Sequence, residues 1–370
     1  MGLPLSDHAY PSSGLIVAAV SLRDFRSYAR LELELDRGLV LVAGPNGAGK
    51  TNLLESLHVG TQGFSPRTRS DAQLVRFGQE IARIAVRGVR GGAPLDLEVT
   101  LRPREAKRAS VNGARLRTAE LLRGEVATLV FTPDRLVVVK GAPAARRSYF
   151  DRVLGRLAPV QAALPAEYGA AVGQRNAALR RIAMGLSSRE ALAPWSERVI
   201  ELGARLVGAR REVAAALGPL FAERAGELGF EAATIRYEAE SVRPEELEAR
   251  FERDLERGQT GLGPHLDDFG LLAGARDLRT FGSQGEQRLA VLALLLAEAE
   301  LIAQRRGTPP LLLLDDVLSE LDPERREILA RRIRSFGQAL VTTTSRAALP
   351  LEPDQLLEVA AGPEGSRVAA

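Results

Sequence analysis

Residues 44–51 read Gly-Pro-Asn-Gly-Ala-Gly-Lys-Thr, between the apolar run Gly38-Leu-Val-Leu-Val-Ala43 and the segment Asn52-Leu-Leu-Glu-Ser-Leu-His58. The spacing is G-x-x-x-x-G-K-[ST], and its flanks are patterned as a buried strand and a helix, the context in which that spacing makes a phosphate-binding loop. Gly44, Gly47 and Gly49 free the backbone to turn successive N–H groups inward, with Pro45, Asn46 and Ala48 completing the cradle. Lys50 adds a point charge at the start of a helix, and Thr51 offers a hydroxyl to Mg²⁺. A plain glycine-rich turn would not need the Lys-Thr pair. The loop therefore calls for a nucleoside triphosphate and a divalent cation.

The remaining chain is arranged around that loop. Residues 15–20 and 30–35 are patterned as strands about a turn at 23–28, and a third strand delivers the loop. Strands at 81–87 and 95–101 and the tight turn Asn112-Gly113 predict a small accessory antiparallel sheet. Residues 126–131 add a short buried strand. From about 144 to 228 apolar residues recur at helical spacing, as at Val199, Leu202 and Leu206, with breaks near Pro159, Pro165, Gly185 and Pro194. No heptad persists, so a long coiled coil is not expected. A strand at 233–237 and a charged helix at 243–256 follow. A long apolar helix then runs from 282 to about 305, before Leu311-Leu-Leu-Leu314, whose lack of polar alternation marks a strand buried on both faces. A helix through 336 and a strand at 339–344 complete the pattern. The expected class is α/β: a mixed, largely parallel sheet around the loop, the accessory antiparallel sheet, and an inserted, mainly helical second lobe. The divisions are expected at 14–125, 126–274 and 275–370, each to within about ten residues, and the polar tail at 1–13 is expected to fray.

A phosphate loop requires a carboxylate on the far side of its metal, and Asp315 ends the four-leucine strand where such a residue belongs. Asp316 follows it directly. Two acids at the end of a buried strand are costly unless a cation or polar network satisfies them. We assign Asp315, with Thr51, to Mg²⁺, and Asp316, with Lys50, to catalysis, Asp316 holding the water that attacks the γ phosphate. The alternative is two acids that cap a loop.

Taken in order, the phosphate loop, Ser283-Gln-Gly-Glu-Gln287, the strand ending in Asp315-Asp316, and Ser319-Glu-Leu-Asp322 resemble the ATPase head of the ABC superfamily, on the structural-maintenance-of-chromosomes branch. Three further stretches make the chain similar, more narrowly, to the RecF family of bacterial DNA replication and repair proteins. They are Leu22-Arg-Asp-Phe-Arg-Ser-Tyr28, the segment from Phe131-Thr-Pro-Asp134 to Arg146-Arg-Ser-Tyr-Phe-Asp151, and Gly263-Pro-His-Leu-Asp-Asp268. The resemblance implies that Ser283, Gln284 and Gly285 contact the γ phosphate held by a second copy, so that two molecules close on two ATP. It likewise implies that 319–322 crosses that interface.

The sequence also departs from the pattern. Asp316 stands where most such heads have glutamate, and Thr342, Thr343 and Thr344 stand where a switch histidine is common. Thr132 takes the place of the Mg²⁺-sensing glutamine, with Gln62 as a second candidate. Leu266 replaces a basic residue. His265, Asp267 and Asp268 lie too close in sequence, with no distant fourth ligand, to favour a metal over a hydrogen-bonded loop.

The function the resemblance implies is an ATP-dependent DNA-binding switch with weak ATPase activity, acting in recombinational repair, replication-fork maintenance and SOS induction. The DNA would be single-stranded, gapped or at duplex junctions, with RecR- and RecO-type partners. Phosphate contacts would make binding fall steeply with salt, and Arg67, Arg69, Arg102, Arg104, Lys107, Arg108, Arg115 and Arg117 are the candidates read from sequence. The net charge of +3 is only weakly permissive of that. With no cysteine, disulfides and thiolate metal sites are excluded. No apolar run reaches bilayer length and no basic-then-apolar leader opens the chain, so a cytoplasmic protein without a membrane partner is expected. Two rivals share the loop. The ATPase subunit of an ABC membrane transporter would leave the helical middle without a purpose, and a small-molecule kinase would leave the motif after Gly282 unexplained.

Overall fold

A computed structural model describes residues 16–319, 321–363 and 365–369; the tail at 1–13 and Glu320 of the 319–322 loop lie outside the described residues. The chain opens with β1 (Ile16–Phe25), β2 (Tyr28–Glu34), β3 (Leu39–Ala43) and α1 (Lys50–Gln62). Next come β4 (Ala82–Arg90), β5 (Ala93–Leu101), β6 (Arg108–Val111), β7 (Ala114–Arg115) and β8 (Thr128–Phe131). The helical part holds α2 (Val137–Lys140), α3 (Pro143–Leu157), α4 (Leu164–Ala183), α5 (Ala193–Glu227), β9 (Ala233–Arg236), α6 (Pro244–Ala249) and α7 (Phe251–Arg257). It continues through β10 (Gly270–Ala273), β11 (Arg276–Asp277), α8 (Leu278–Phe281) and α9 (Gln284–Arg306). The remainder is β12 (Leu311–Leu314), α10 (Pro323–Ser335), β13 (Ala339–Thr343), β14 (Gln355–Gly362) and β15 (Gly365–Ala369).

Two compact units result: the described residues of Met1–Arg135 with Glu298–Ala370, and Leu136–Ala297. The sequence placed 126–135 in the helical lobe. In the structure β8 pairs parallel with β12, Leu129 opposite Leu312 and Phe131 opposite Leu314, so this segment belongs to the nucleotide unit. The second division falls inside α9 and not at 275.

The first unit contains two sheets. One has the order β15-β14-β3-β13-β12-β8, parallel except for β15 at its edge. All four leucines of β12 are buried, as a strand covered on both faces must be. The other is antiparallel, in the order β2-β1-β4-β5-β6-β7, and is larger than the accessory sheet expected because β1 and β2 join it. The turn expected at 23–28 shrinks to two residues, since Phe25 pairs with Tyr28 and both side chains are fully buried.

Helix α1 contributes Leu53, Leu54, Leu57 and Val59 to one hydrophobic core with residues of both sheets. A helix buried nearly all round carries few charges, and here Glu55 is the acidic exception. Gln338 stitches the sheets: its side-chain carbonyl accepts from Val17 N at 2.8 Å, and its amide donates to Val17 O at 2.8 Å and Asp36 O at 2.9 Å.

In the second unit α5 is a 35-residue helix, and α4 and α7 join it around a buried ion pair between Arg175 and Asp254 at 2.9 Å. The charged helix expected at 243–256 is divided, because Arg250 N bonds to Leu247 O at 3.3 Å, an i to i−3 closure that ends α6. No described helix is long and apolar enough to cross a membrane.

Candidate functional site

The parallel sheet brings the sequence-predicted residues of the first unit to the carboxyl ends of β3, β12 and β13, where open α/β sheets place their ligand crevice. Gly44 to Gly49 form the turn from β3 into α1, and Gly44 N donates to Thr343 O at 3.2 Å. Glycine is obligatory at two of these positions for different reasons. A Cβ on Gly44 would lie 2.1 Å from Val359 O of β14, while Gly49 has a φ of +115° and a Cβ there would meet Ser366 Oγ at 2.3 Å. The hairpin β14–β15, which sequence patterning did not anticipate, is thus the outer wall of the loop. Ser366 Oγ donates to Ser27 Oγ at 2.7 Å, and Tyr28 donates its hydroxyl to Gly49 O at 3.1 Å.

The Lys50 ammonium donates to Gly44 O at 2.7 Å and Pro45 O at 2.9 Å, which holds it over the loop. Burial pushes its pKa down, and the nearby Asp315 and Asp316 carboxylates push it back up. Across the crevice, Thr51 Oγ1 lies 3.0 and 2.9 Å from the two oxygens of Asp315. Thr342 Oγ1 donates to Asp315 Oδ1 at 2.7 Å and accepts from Asp316 N at 2.9 Å. The sequence flagged Thr342 only for lacking an imidazole. In the structure its hydroxyl fixes the Asp315 carboxylate and the backbone of Asp316 together. Asp316 is exposed, with a φ of +50° that aspartate tolerates better than most residues.

A hydroxyl and a carboxylate in contact are hard oxygen donors, and Mg²⁺ is characteristically held by one or two such protein groups with water and phosphate completing the shell. The Thr51–Asp315 pair fits that requirement, and Lys50 at a helix start fits the phosphates. Gln62, the second candidate for sensing the metal, does not join them. Its amide is buried and donates to Thr61 O at 3.0 Å and Val126 O at 2.7 Å, inside the core. Thr132 lies just after β8 and is buried.

Sequence reasoning also missed Glu55 as a hub beside the loop. Its buried carboxylate accepts from Arg26 Nε at 2.9 Å and Nη2 at 2.8 Å, from Ser65 Oγ at 2.5 Å, and from Arg67 Nη1 at 3.1 Å. Asn52 continues the chain by accepting from Arg67 at 3.2 Å and donating to Ser27 Oγ at 2.8 Å. An acidic residue in the apolar helix α1 was the available signal, because a charge there must be paired.

In the second unit Ser283, Gln284 and Gly285 are exposed at the start of α9. Ser283 Oγ accepts from Glu286 N at 3.2 Å and Glu286 accepts from Ser283 N at 2.7 Å, a capping box that coexists with the exposed triplet. The bond from Ser283 N, and after it the bond from the Arg276 guanidinium at 2.9 Å, hold the Glu286 carboxyl below its ordinary value. Ser319 is exposed and donates to Asp316 O at 3.1 Å, and Asp322 caps α10 by accepting from Arg325 N at 2.9 Å.

The 263–268 segment is a hydrogen-bonded loop. Arg146 grips Asp268 with two bonds of 2.7 Å, Tyr237 donates to Asp267 Oδ2 at 2.6 Å, and Tyr168 Oη lies 2.8 Å from His265 Nδ1. Among the described residues no group of three or more acidic or histidine side chains is placed to hold a metal ion. Of the arginines and lysine read as DNA contacts, Arg67 is committed to Glu55, Lys107 sits 3.5 Å from both Asp71 and Glu120, and Arg102 and Arg108 each lie 3.6 Å from Glu105. Arg69, Arg104, Arg115 and Arg117 are exposed.

The family model described as RecF/RecN/SMC N terminal domain matches residues 16–366. The DNA replication and repair protein RecF of Heliobacterium modesticaldum is 34% identical over 354 residues, 92% of this chain and 95% of that one. A solved structure described as the recombination mediator protein RecF-ATP in the RecFOR pathway superposes with a TM-score of 0.86 at 27% identity, covering 99% of this chain and 100% of that one. The Smc head domain of Pyrococcus furiosus, at 17% identity and a TM-score of 0.58 over 96% of each chain, shares the fold. The chain belongs to the RecF family of DNA replication and repair proteins, within the wider family of RecF, RecN and SMC N-terminal domains.

Proposed function

We propose that the protein is a cytoplasmic, ATP-dependent DNA-binding ATPase of recombinational repair and replication-fork maintenance, which hydrolyses ATP slowly as a release switch. The observation that carries this reading is the junction of Thr51 with Asp315, at 2.9–3.0 Å, beside Lys50 on a phosphate loop. Lys50 would bind the β and γ phosphates, the loop backbone from Gly44 to Gly49 would orient them, and Thr51 and Asp315 would hold Mg²⁺. When bound, the cation neutralises phosphate charge. Asp316, exposed at the same strand end, would orient the attacking water; Thr342 keeps its backbone in register with Asp315.

The finer part of the reading is that two copies pair on ATP. The exposure of Ser283, Gln284 and Gly285 supports it, because a triplet at a helix start with a free face can reach phosphate on another molecule. In this scheme the paired form grips single-stranded, gapped or junction DNA and works with RecR- and RecO-type proteins in recombinase loading and SOS induction. Ser283→Arg places a bulky cation in the proposed contact. Analytical ultracentrifugation with ATP and gapped duplex should give dimers for the wild type, and for the variant only at concentrations at least about tenfold higher, a loss of about 1.4 kcal/mol or more. A wild type that stays monomeric, or a variant that pairs equally well, removes the pairing mechanism.

A further inference from the structure

On the solvent face of the antiparallel sheet, strand register assembles a line of arginines that the sequence scatters. Arg30 of β2 is directly paired with Arg23 of β1, and Arg23 with Arg83 of β4. Arg83 is paired with Thr100 of β5, and Thr100 with Arg108 of β6. One transverse row across five strands therefore carries four guanidinium groups. At the usual strand spacing it is about 19 Å long. The opposite face of the same strands is the core, with Leu22, Ile84 and Val99 buried, so the four arginines have no alternative but to stand outward.

Like charges at directly opposed sheet positions are destabilising. Internal neutralisation is slight. Arg23 lies 3.9 Å from Asp24 and Arg108 lies 3.6 Å from Glu105, at side-chain exposures of 74% and 56%. Among the described residues no carboxylate lies within salt-bridge distance of Arg30 or Arg83. The row borders an open hollow of about 740 Å³, which Arg102 also lines. The next row toward the start of β1 reverses the sign: Glu32 is paired with Ser21, and Glu98 with Ala85. The cationic strip is thus one residue wide with an acidic margin. A plane of lipid headgroups would meet that margin and be repelled, whereas a single sugar-phosphate strand would lie along the strip and clear it.

We propose that the row Arg30, Arg23, Arg83 and Arg108 is a docking strip for one phosphodiester backbone of duplex DNA. The inference rests on the DNA-binding reading above and assigns that reading a surface. The strip contacts phosphates only, so it confers affinity and register without base preference. Because the favourable term is counterion release, each arginine removed lowers the salt dependence by close to one unit of slope.

The test is fluorescence anisotropy of labelled gapped duplex across a salt series, with the full chain as wild type, Arg30→Ala/Arg83→Ala, and Arg198→Ala/Arg205→Ala, two exposed arginines of α5. The row variant is expected to flatten the slope of log K against log salt by about 1.8, while the second pair, outside the row, leaves it unchanged. Thermal midpoint of the row variant should stay level or rise, since like-charge repulsion is relieved, and its affinity for a fluorescent ATP analogue should match the wild type. If both pairs flatten the slope equally, or the row variant leaves it unchanged, the strip is not the docking surface although DNA binding stands. If the wild type binds no DNA at any salt, the DNA-binding reading fails and the strip fails with it. Binding of phosphatidylglycerol vesicles that depends on Arg30 and Arg83 while DNA affinity does not would also overturn the proposal.

Discussion

Asp315→Asn is expected to lower kcat for ATP hydrolysis by about 10²-fold or more while leaving the fold in place, the order seen when one preorganised electrostatic contact is lost from a site. The amide keeps the size of the carboxylate and one acceptor, so the hydroxyls of Thr51 and Thr342, both within 3.0 Å of Asp315, retain a partner. What disappears is the charge that the proposed cation site needs. A buried carboxylate without a cation is costly, so stability without nucleotide should hold or improve slightly. Steady-state hydrolysis with gapped DNA, measured over a Mg²⁺ titration beside a thermal melt, reads both effects. Hydrolysis at the wild-type rate would show that Asp315 only anchors hydroxyls.

The second large effect concerns stability. Arg175→Met should destabilise the helical unit by about 3–5 kcal/mol, because it leaves the Asp254 carboxylate buried without its charge partner. Both side chains are 1% exposed and 2.9 Å apart. Arg175 also donates to Thr260 Oγ1 at 2.9 Å, and Asp254 accepts from Gly261 N at 3.1 Å, so the pair ties α4 and α7 to the loop after α7. The protein has one tryptophan, Trp195, located in α5 of the same unit, which makes its fluorescence a local reporter of urea unfolding. Arg175→Met/Asp254→Leu should recover most of the loss. A single variant within about 1 kcal/mol of wild type would mean the carboxylate is solvated or neutral there.

What could be read from the chain before its coordinates follows from how local the cause is. The phosphate loop and the four-leucine strand were legible because each is dictated by residues within a few positions of one another. The placement of Asp315 beside Thr51 was legible because a phosphate loop calls for a partner acid. Thr342 and Glu55 were not, since their roles depend on which strand lies beside β12 and which loops fold over α1. The arginine row was least accessible of all. Arg23, Arg30 and Arg83 are unremarkable in sequence, and only antiparallel register turns them into neighbours. The division of the chain shifted for the same reason, as the pairing of β8 with β12 outweighs its proximity in sequence to the helices.

The wall that β14 and β15 build against the phosphate loop bears on how the site comes into being. Ser27 and Ser366, which join that wall to the loop's supports, are separated by 339 positions. A ribosome therefore finishes the loop long before it reaches the strands that confine Gly44 and Gly49. Nascent or prematurely terminated chains lacking those strands would carry the motif without its enclosure, which is complete only once the distal hairpin has emerged and docked.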